Sequence, residues 1–253
     1  MMNFPEFLSP YQADLEKYKM ETVLINATPI ANGESLSITQ SKFLGLPFLP
    51  VGVDYPEDSK GTPMILLAQI NFSELPSLPE YPSEGILQLF VSPDDWYDME
   101  EYAVLYHEDL TQEHQKDFSF LTDDFYLDSP ILSEHALQFE KSVEYGGVAD
   151  ERFDYMFGEQ DYWDFEESLA EEDAKQLGTF FTSGGSKVGG YAYFTQQDVR
   201  SYSPSKKNDL LLLQIDSDEK IMFGDSGVAN VFINPDDLKK KDFSKAYFYW
   251  DCY

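Results

Sequence analysis

The chain has 253 residues, 42% of them apolar and 16% aromatic, and a formal charge of −30. That is enough large apolar surface to bury a core, which excludes a disordered chain in spite of the charge. No stretch reaches the roughly 18 uninterrupted apolar residues of a membrane helix, and one cysteine, Cys252, excludes an internal disulfide framework and cysteine-rich zinc sites. Met1 to Leu8 carry no Lys or Arg and are interrupted by Pro5 and Glu6, unlike a signal peptide, so a cytoplasmic location is expected.

The charge is uneven. Residues 94–174 hold 26 acids and 3 bases, whereas residues 175–253 hold 10 of each. Nucleic acid and anionic membrane are poor partners for such a chain, because phosphate binding draws on clustered Lys and Arg. A basic protein partner is the expectation, weighed against a merely solvated face.

In chain order, Ser9 as N-cap, Pro10 at the first helical position and Gln12 as the third capping-box residue predict a helix. Tyr11, Leu15 and Tyr18 would form its packed face. Short strands are predicted at Thr22–Ala27, Met64–Asn71 and Gly85–Ser92, and alternation predicts another at Ala136–Tyr145. Tyr102–Tyr106 also reads as strand. Helix formers at Gln160–Leu177, with Tyr162, Phe165 and Leu169 on one face, predict an acidic surface helix.

Segments also recur. Gln40–Gly45 resembles Gly185–Gly190, and Leu66–Asn71 resembles Leu211–Asp216, both at an offset of 145 residues. Gly85–Asp95 and Gly227–Asp237 share a Gly, a Phe and a closing Pro-Asp-Asp at an offset of 142. Duplication is the expected origin. The expectation is one α+β domain, mainly antiparallel sheet from two duplicated halves with pseudo-twofold symmetry, plus an N-terminal helix and an acidic helical and strand insertion. Repeat 1 spans about 36–96, the acidic segment about 97–180, repeat 2 about 181–238, and a C-terminal strand 244–253. The acidic segment would decorate one side.

Several residues carry this further. Ser41-Lys42-Phe43-Leu44-Gly45-Leu46-Pro47, Gln69-Ile70, Ser186–Tyr191, Gln196–Arg200, Gln214-Ile215-Asp216, Gly224–Val228 and Trp250-Asp251-Cys252 resemble the YwqG family, a bacterial family without an assigned activity. The resemblance covers nearly the whole chain. It implies a shared fold and no established activity, cofactor or catalytic residue. Some relatives lie near toxin systems, which implies an immunity or accessory role. One departure is Leu44-Gly45, where the family pattern favours Gly-Gly as at Gly189-Gly190, so the first loop should adopt positive φ less freely.

Gly224-Asp225-Ser226-Gly227 resembles the nucleophile segment of chymotrypsin-like proteases, but His107, His114 and His135 lack the neighbouring sequence of a general base. Asp225-Ser226-Gly227 instead occupies the place of Ser83-Glu84-Gly85, a turn feeding a strand. No metal is expected, since His107 and His114 lack a third spaced ligand and Asp216, Asp218 and Glu219 do not form a calcium loop. No cofactor is expected either. Cys252 reads as a packed strand residue.

Two sets of candidate site residues remain. Glu166, Glu167, Glu171 and Glu172 would dock a basic partner, in the manner of an immunity protein. Lys42, Lys187, Gln69, Gln214, Arg200 and Asp225 would line a polar cleft between the repeats if the protein is instead a small-molecule binder or enzyme. Structural ion pairs and buried amide bridges are the competing explanation for this second set. Mimicry of nucleic acid by the carboxylates is a third reading.

Overall fold

The computed structural model describes residues 4–31 and 34–253. Among these residues ten strands form one sheet: β1 (Met20–Pro29), β2 (Lys42–Phe43), β3 (Ile65–Asn71), β4 (Ile86–Val91), β5 (Tyr102–His107), β6 (His135–Glu144), β7 (Lys187–Gly189), β8 (Leu210–Asp216), β9 (Val228–Ile233) and β10 (Tyr247–Asp251). Their order is β10-β9-β8-β7-β1-β6-β2-β3-β4-β5, with antiparallel pairing throughout. Helices are few and short, namely α1 (Gln12–Leu15), α2 (Tyr162–Ser168), α3 (Glu171–Phe181) and α4 (Pro235–Lys239) with short 3-10 turns. The fold is α+β and mostly antiparallel sheet.

The sheet curls nearly closed. Tyr102 on β5 meets Phe248 on β10 with ring centroids 5.9 Å apart, and Tyr106 stacks on Phe243 at 4.4 Å. Continuous apolar runs explain the interior. Every residue of β3, β4 and β9 is buried, as expected of strands covered on both faces. Val23, Leu67, Ile70, Val188, Leu212, Ile215 and Val231 belong to one core that draws on strands from both sides of the β1–β6 pair.

The acidic segment does more than decorate one side. Its strand β6 lies near the middle of the sheet and pairs with β1 from Met20↔Glu144 to Pro29↔His135. The reason is visible in its alternation, which buries His135 and Leu137 and turns Gln138 and Glu140 outward. β5, also from this segment, forms the sheet edge.

The N-terminal helix differs from expectation as well. Helical turns begin at Glu6 after an extended Pro5, run as 3-10 to Tyr11, and become α only at Gln12. Ser9 is therefore inside the helix, where its carbonyl accepts from the Gln12 N–H, and is not a cap. Leu15 is fully buried as anticipated, while Tyr11 is half-buried.

The helix expected over Gln160–Leu177 is two helices broken at Leu169-Ala170. A continuous helix would set Glu167 beside Glu171 at i, i+4, where like charges repel. The break restarts the helix with Glu171, Glu172 and Asp173 in its first turn, where the helix dipole favours acids. Asp161 caps α2 by accepting from the Asp164 N–H at 2.9 Å. Leu8, Leu15, Tyr145, Phe157, Phe165, Leu177 and Phe181 then form a second core, in which Phe157 stacks on Phe165 at 4.3 Å.

Candidate functional site

Each arm of the sheet is organised around a buried glutamine. Gln69 on β3 donates to the Ile38 and Gln40 carbonyls at 2.9 Å and accepts from the Phe48 N–H at 2.8 Å. Gln214 on β8 donates to the Ser183 and Gly185 carbonyls at 3.0 and 2.7 Å and accepts from the Tyr193 N–H at 2.8 Å. Each partner in the second set lies 145 residues beyond its counterpart. Both strands also bulge at matching places, Leu66/Ala68 and Leu211/Leu213. These amides satisfy loop backbone that would otherwise be buried unpaired.

Lys42 pairs with Gln69 across β2–β3, and Lys187 with Gln214 across β7–β8. The two lysines do not meet. β1 and β6 lie between β7 and β2, a separation of about 14 Å at the usual strand spacing. Lys42 donates to the Ser37 and Leu46 carbonyls and sits 3.7 Å from Glu134. Lys187, fully buried, donates to Glu144 at 2.5 Å. Burial lowers the pKa of both lysines, and the neighbouring glutamates only partly offset it. The opposite oxygen of Glu144 accepts from the Tyr191 N–H, an approach open only because Gly190 (φ 77°) has no Cβ to strike that carboxylate. Leu44 adopts φ 60° in the corresponding first loop despite its side chain, because tertiary packing buries it.

Arg200 lies in a different network. Its guanidinium donates to Asp198 at 2.5–3.1 Å, to the Asp209 carbonyl at 2.7 Å and approaches Asp150 at 2.9 Å. Asp150 also accepts from Arg152 at 2.6 and 2.9 Å and from the Ala192 N–H. Burial opposes ionisation of Asp150, but the Arg152 and Arg200 charges outweigh it and hold the carboxyl well below the usual range. Burial likewise opposes the Arg200 charge, and Asp150 and Asp198 more than restore it. Asp198 lies two residues before Arg200, so the sequence itself offers it as a partner. Asp150 and Arg152 are not offered in this way, because they lie about 50 residues away and only the fold brings them in. Asp225 takes no part. It is exposed in the turn Gly224–Ser226, where its carbonyl accepts from the Tyr253 N–H.

His107 and His114 flank the Phe48 ring, with centroids 5.9 and 5.7 Å from it. His135 is fully buried and holds the Ser133 carbonyl at 2.6 Å through Nδ1. Among the described residues no three His, Cys, Asp or Glu side chains are grouped to hold a metal. Asp218 instead accepts from the Lys220 and Ile221 N–H groups. Cys252 lies just beyond β10, half-buried against Gly224.

Beside the arginine network the surface opens into a hollow of about 600 Å³, bordered by Glu151, Asp154, Trp163, Tyr193, Gln196 and Lys207. A second hollow of about 360 Å³ shares Phe153, Asp154 and Trp163 with it. Trp163, at the start of α2, is 61% exposed. The four candidate glutamates follow on α2 and α3. Glu167, Glu171 and Glu172 are exposed, whereas Glu166 is half-buried beside Tyr162. Burial first, and then the Glu166 carboxylate, push the Tyr162 hydroxyl up to about 12. The site therefore presents carboxylates and an indole outward, with the buried charges of Asp150, Asp198, Arg152 and Arg200 already paired.

Residues 41–252 match the model of a domain of unknown function, DUF1963. The chain belongs to the DUF1963 family. The match opens one residue before β2 and closes one residue after β10, so the DUF1963 region contains nine of the ten strands and the whole Asp150–Arg200 network. The N-terminal helix and β1 precede it. No curated protein matches the sequence. Among the described residues no helix is long and apolar enough to cross a membrane.

Proposed function

We propose that this DUF1963 chain is a non-enzymatic acidic binding protein that docks a basic protein through the face built from residues 94–174, in the manner of an immunity or accessory protein. One observation carries the reading, namely how its charges divide. Inside, Asp150, Asp198 and Glu144 are each met by an arginine or lysine, and the buried Asp58, Asp209 and Asp251 are each held by hydrogen bonds. Outside, Glu167, Glu171 and Glu172 stand exposed on consecutive helices, and no salt bridge among the described residues engages them or Glu166. Clustered unpaired carboxylates repel one another, and a cationic surface relieves that repulsion while speeding the encounter.

The same reading takes the chain as one YwqG-like domain, in which two duplicated units at about 36–96 and 181–238 are related by a pseudo-twofold axis between β1 and β6. The repeated glutamine contacts and bulges support it. The duplicated units supply a rigid body, and the acidic segment supplies the recognition face.

A low-salt pulldown tests the docking. The baits are the wild-type chain and Glu166→Gln/Glu167→Gln/Glu171→Gln/Glu172→Gln. Wild type should retain a basic protein that salt releases, since screening shortens the reach of exposed charge to about 8 Å at physiological ionic strength. The neutralised bait should not retain it. Equal capture by both baits, or capture indifferent to salt, refutes the docking face.

A further inference from the structure

We propose that the smaller hollow beside Trp163 seats an arginine side chain of that basic partner; this rests on the docking reading above and names its anchor. The hollow is bordered by Phe153, Asp154, Tyr155, Met156, Asp161 and Trp163. Two features distinguish it from the rest of the acidic face.

The first is its aromatic wall. Trp163 is 61% exposed and Met156 48%, although the adjoining Tyr162 and Phe165 are buried in the second core. Among the described residues Trp163 has one aromatic neighbour, Tyr162, in a T-shaped contact at 5.0 Å. Indole placed outward in a concave wall is the arrangement that tryptophan uses in recognition, where a partner side chain replaces the water.

The second is its charge. Asp154 and Asp161 border the hollow, and no lysine or arginine does. Asp154 accepts from the Tyr18 hydroxyl through Oδ1 at 3.1 Å, and Asp161 caps α2 through Oδ1 at 2.9 Å. Each carboxylate thus has one oxygen engaged, which fixes its position, and a second oxygen with no hydrogen bond among the described residues. The larger hollow is less suited, because Lys207 borders it and its Asp150 and Asp198 are already met by arginine.

An exposed indole beside positioned carboxylates selects for guanidinium. Arginine stacks flat on aromatic rings, sheds water more readily than ammonium and spreads its N–H donors in a fixed plane, so separate donors can meet the one open oxygen of each carboxylate, whereas lysine offers a compact, strongly hydrated charge. A hollow of about 360 Å³ falls within the size range that encloses such a side chain.

The test follows the three indole N–H resonances of the full chain, those of Trp96, Trp163 and Trp250, during low-salt titration with hexa-arginine and with hexa-lysine. Hexa-arginine should shift the Trp163 resonance and leave Trp96 and Trp250 in place. Trp163→Ala and Asp154→Asn, both at exposed positions, should each weaken hexa-arginine binding by about tenfold or more, and hexa-lysine should bind wild type several-fold more weakly. If the four-glutamine variant loses hexa-arginine binding while Trp163→Ala and Asp154→Asn bind as wild type, the docking face stands and the arginine seat is overturned. If the four-glutamine variant binds as wild type while Trp163→Ala does not, the seat stands and the wider face falls. Equal affinity for hexa-lysine overturns the selection for guanidinium, and no binding of either peptide overturns seat and face together.

Discussion

The guanidinium of Arg200 lies 2.9 Å from the carboxylate of Asp150, and neither side chain is exposed to solvent. Arg152 reaches the same carboxylate and also donates to the Gly190 carbonyl. Through Asp150 the loop before α2 is thereby tied to the 3-10 turn at Val199–Tyr202 and to the backbone of Ala192. The Arg200 guanidinium also lies 4.7 Å over the Phe232 ring of β9.

Removing one member of this network leaves a buried charge without its partner. Arg200→Met should destabilise the chain by about 3–5 kcal/mol, measured by urea unfolding. Arg200→Lys should recover little of that, because ammonium cannot match the forked contacts to Asp198. The Asp150 carboxyl is held below its unfolded value of about 3.9. Its contribution is therefore present above about pH 4 and is lost as the pH falls through the folded value. Asp150→Asn should be less stable at pH 7 and should lose less further stability between pH 4 and pH 2 than wild type.

The two glutamines should behave alike. Gln69→Leu leaves the Phe48 N–H and the Ile38 and Gln40 carbonyls unpaired, and Gln214→Leu does the same to Tyr193, Ser183 and Gly185. Each orphaned group costs about 1–3 kcal/mol, so both variants should be strongly destabilised and to similar extents. Four strands, β7, β1, β6 and β2, lie between β8 and β3 in the sheet. Their effects should add to within about 0.5 kcal/mol in the double variant, measured by the same unfolding assay.

Burial lowers the pKa of His135, and likewise of His107. Both take up a proton less readily in the folded chain than in the unfolded chain, which protonates below about pH 6.5. Stability should thus fall on acidification from pH 7 towards pH 5. At most each histidine contributes about 1.4 kcal/mol per pH unit. His135→Leu should flatten this slope without abolishing it, a comparison made by thermal melts across the pH range.

Two glycines offer a contrast in tolerance. A Cβ on Gly227 would lie 2.0 Å from the Asp251 carbonyl, which is backbone of β10 and cannot swing aside. Gly185 meets nothing within 4 Å, although its φ is 84°. Gly227→Ala should prevent normal folding or lower the melting temperature severely, while Gly185→Ala should cost only about 1–2 kcal/mol of backbone strain.

Much of the sheet was legible beforehand. β1, β3, β4, β5 and β6 fall where alternation and apolar runs place them, because a pleated strand writes its period directly into the chain. The recurrence at 145 residues marked Gln69 and Gln214 as matching positions before their contacts were seen. Helix boundaries are less legible in the sequence. The break at Leu169-Ala170 depends on repulsion between acids and on packing against Leu8 and Leu15, and neither alters the helix-forming composition of the segment.

Composition, charge and short-range pattern determined that this chain buries a core, that its acids gather in residues 94–174, and that it is built mainly from antiparallel strands. These properties reside in neighbouring residues, so they can be read from their order. Only the tertiary structure decided that β6 joins β1 near the centre of the sheet, that Lys42 and Lys187 stand on opposite sides of that pair, and that Asp150 reaches Arg200. Those pairings join groups far apart along the chain, and which carboxylate a buried cation meets is settled by the packing that desolvates both.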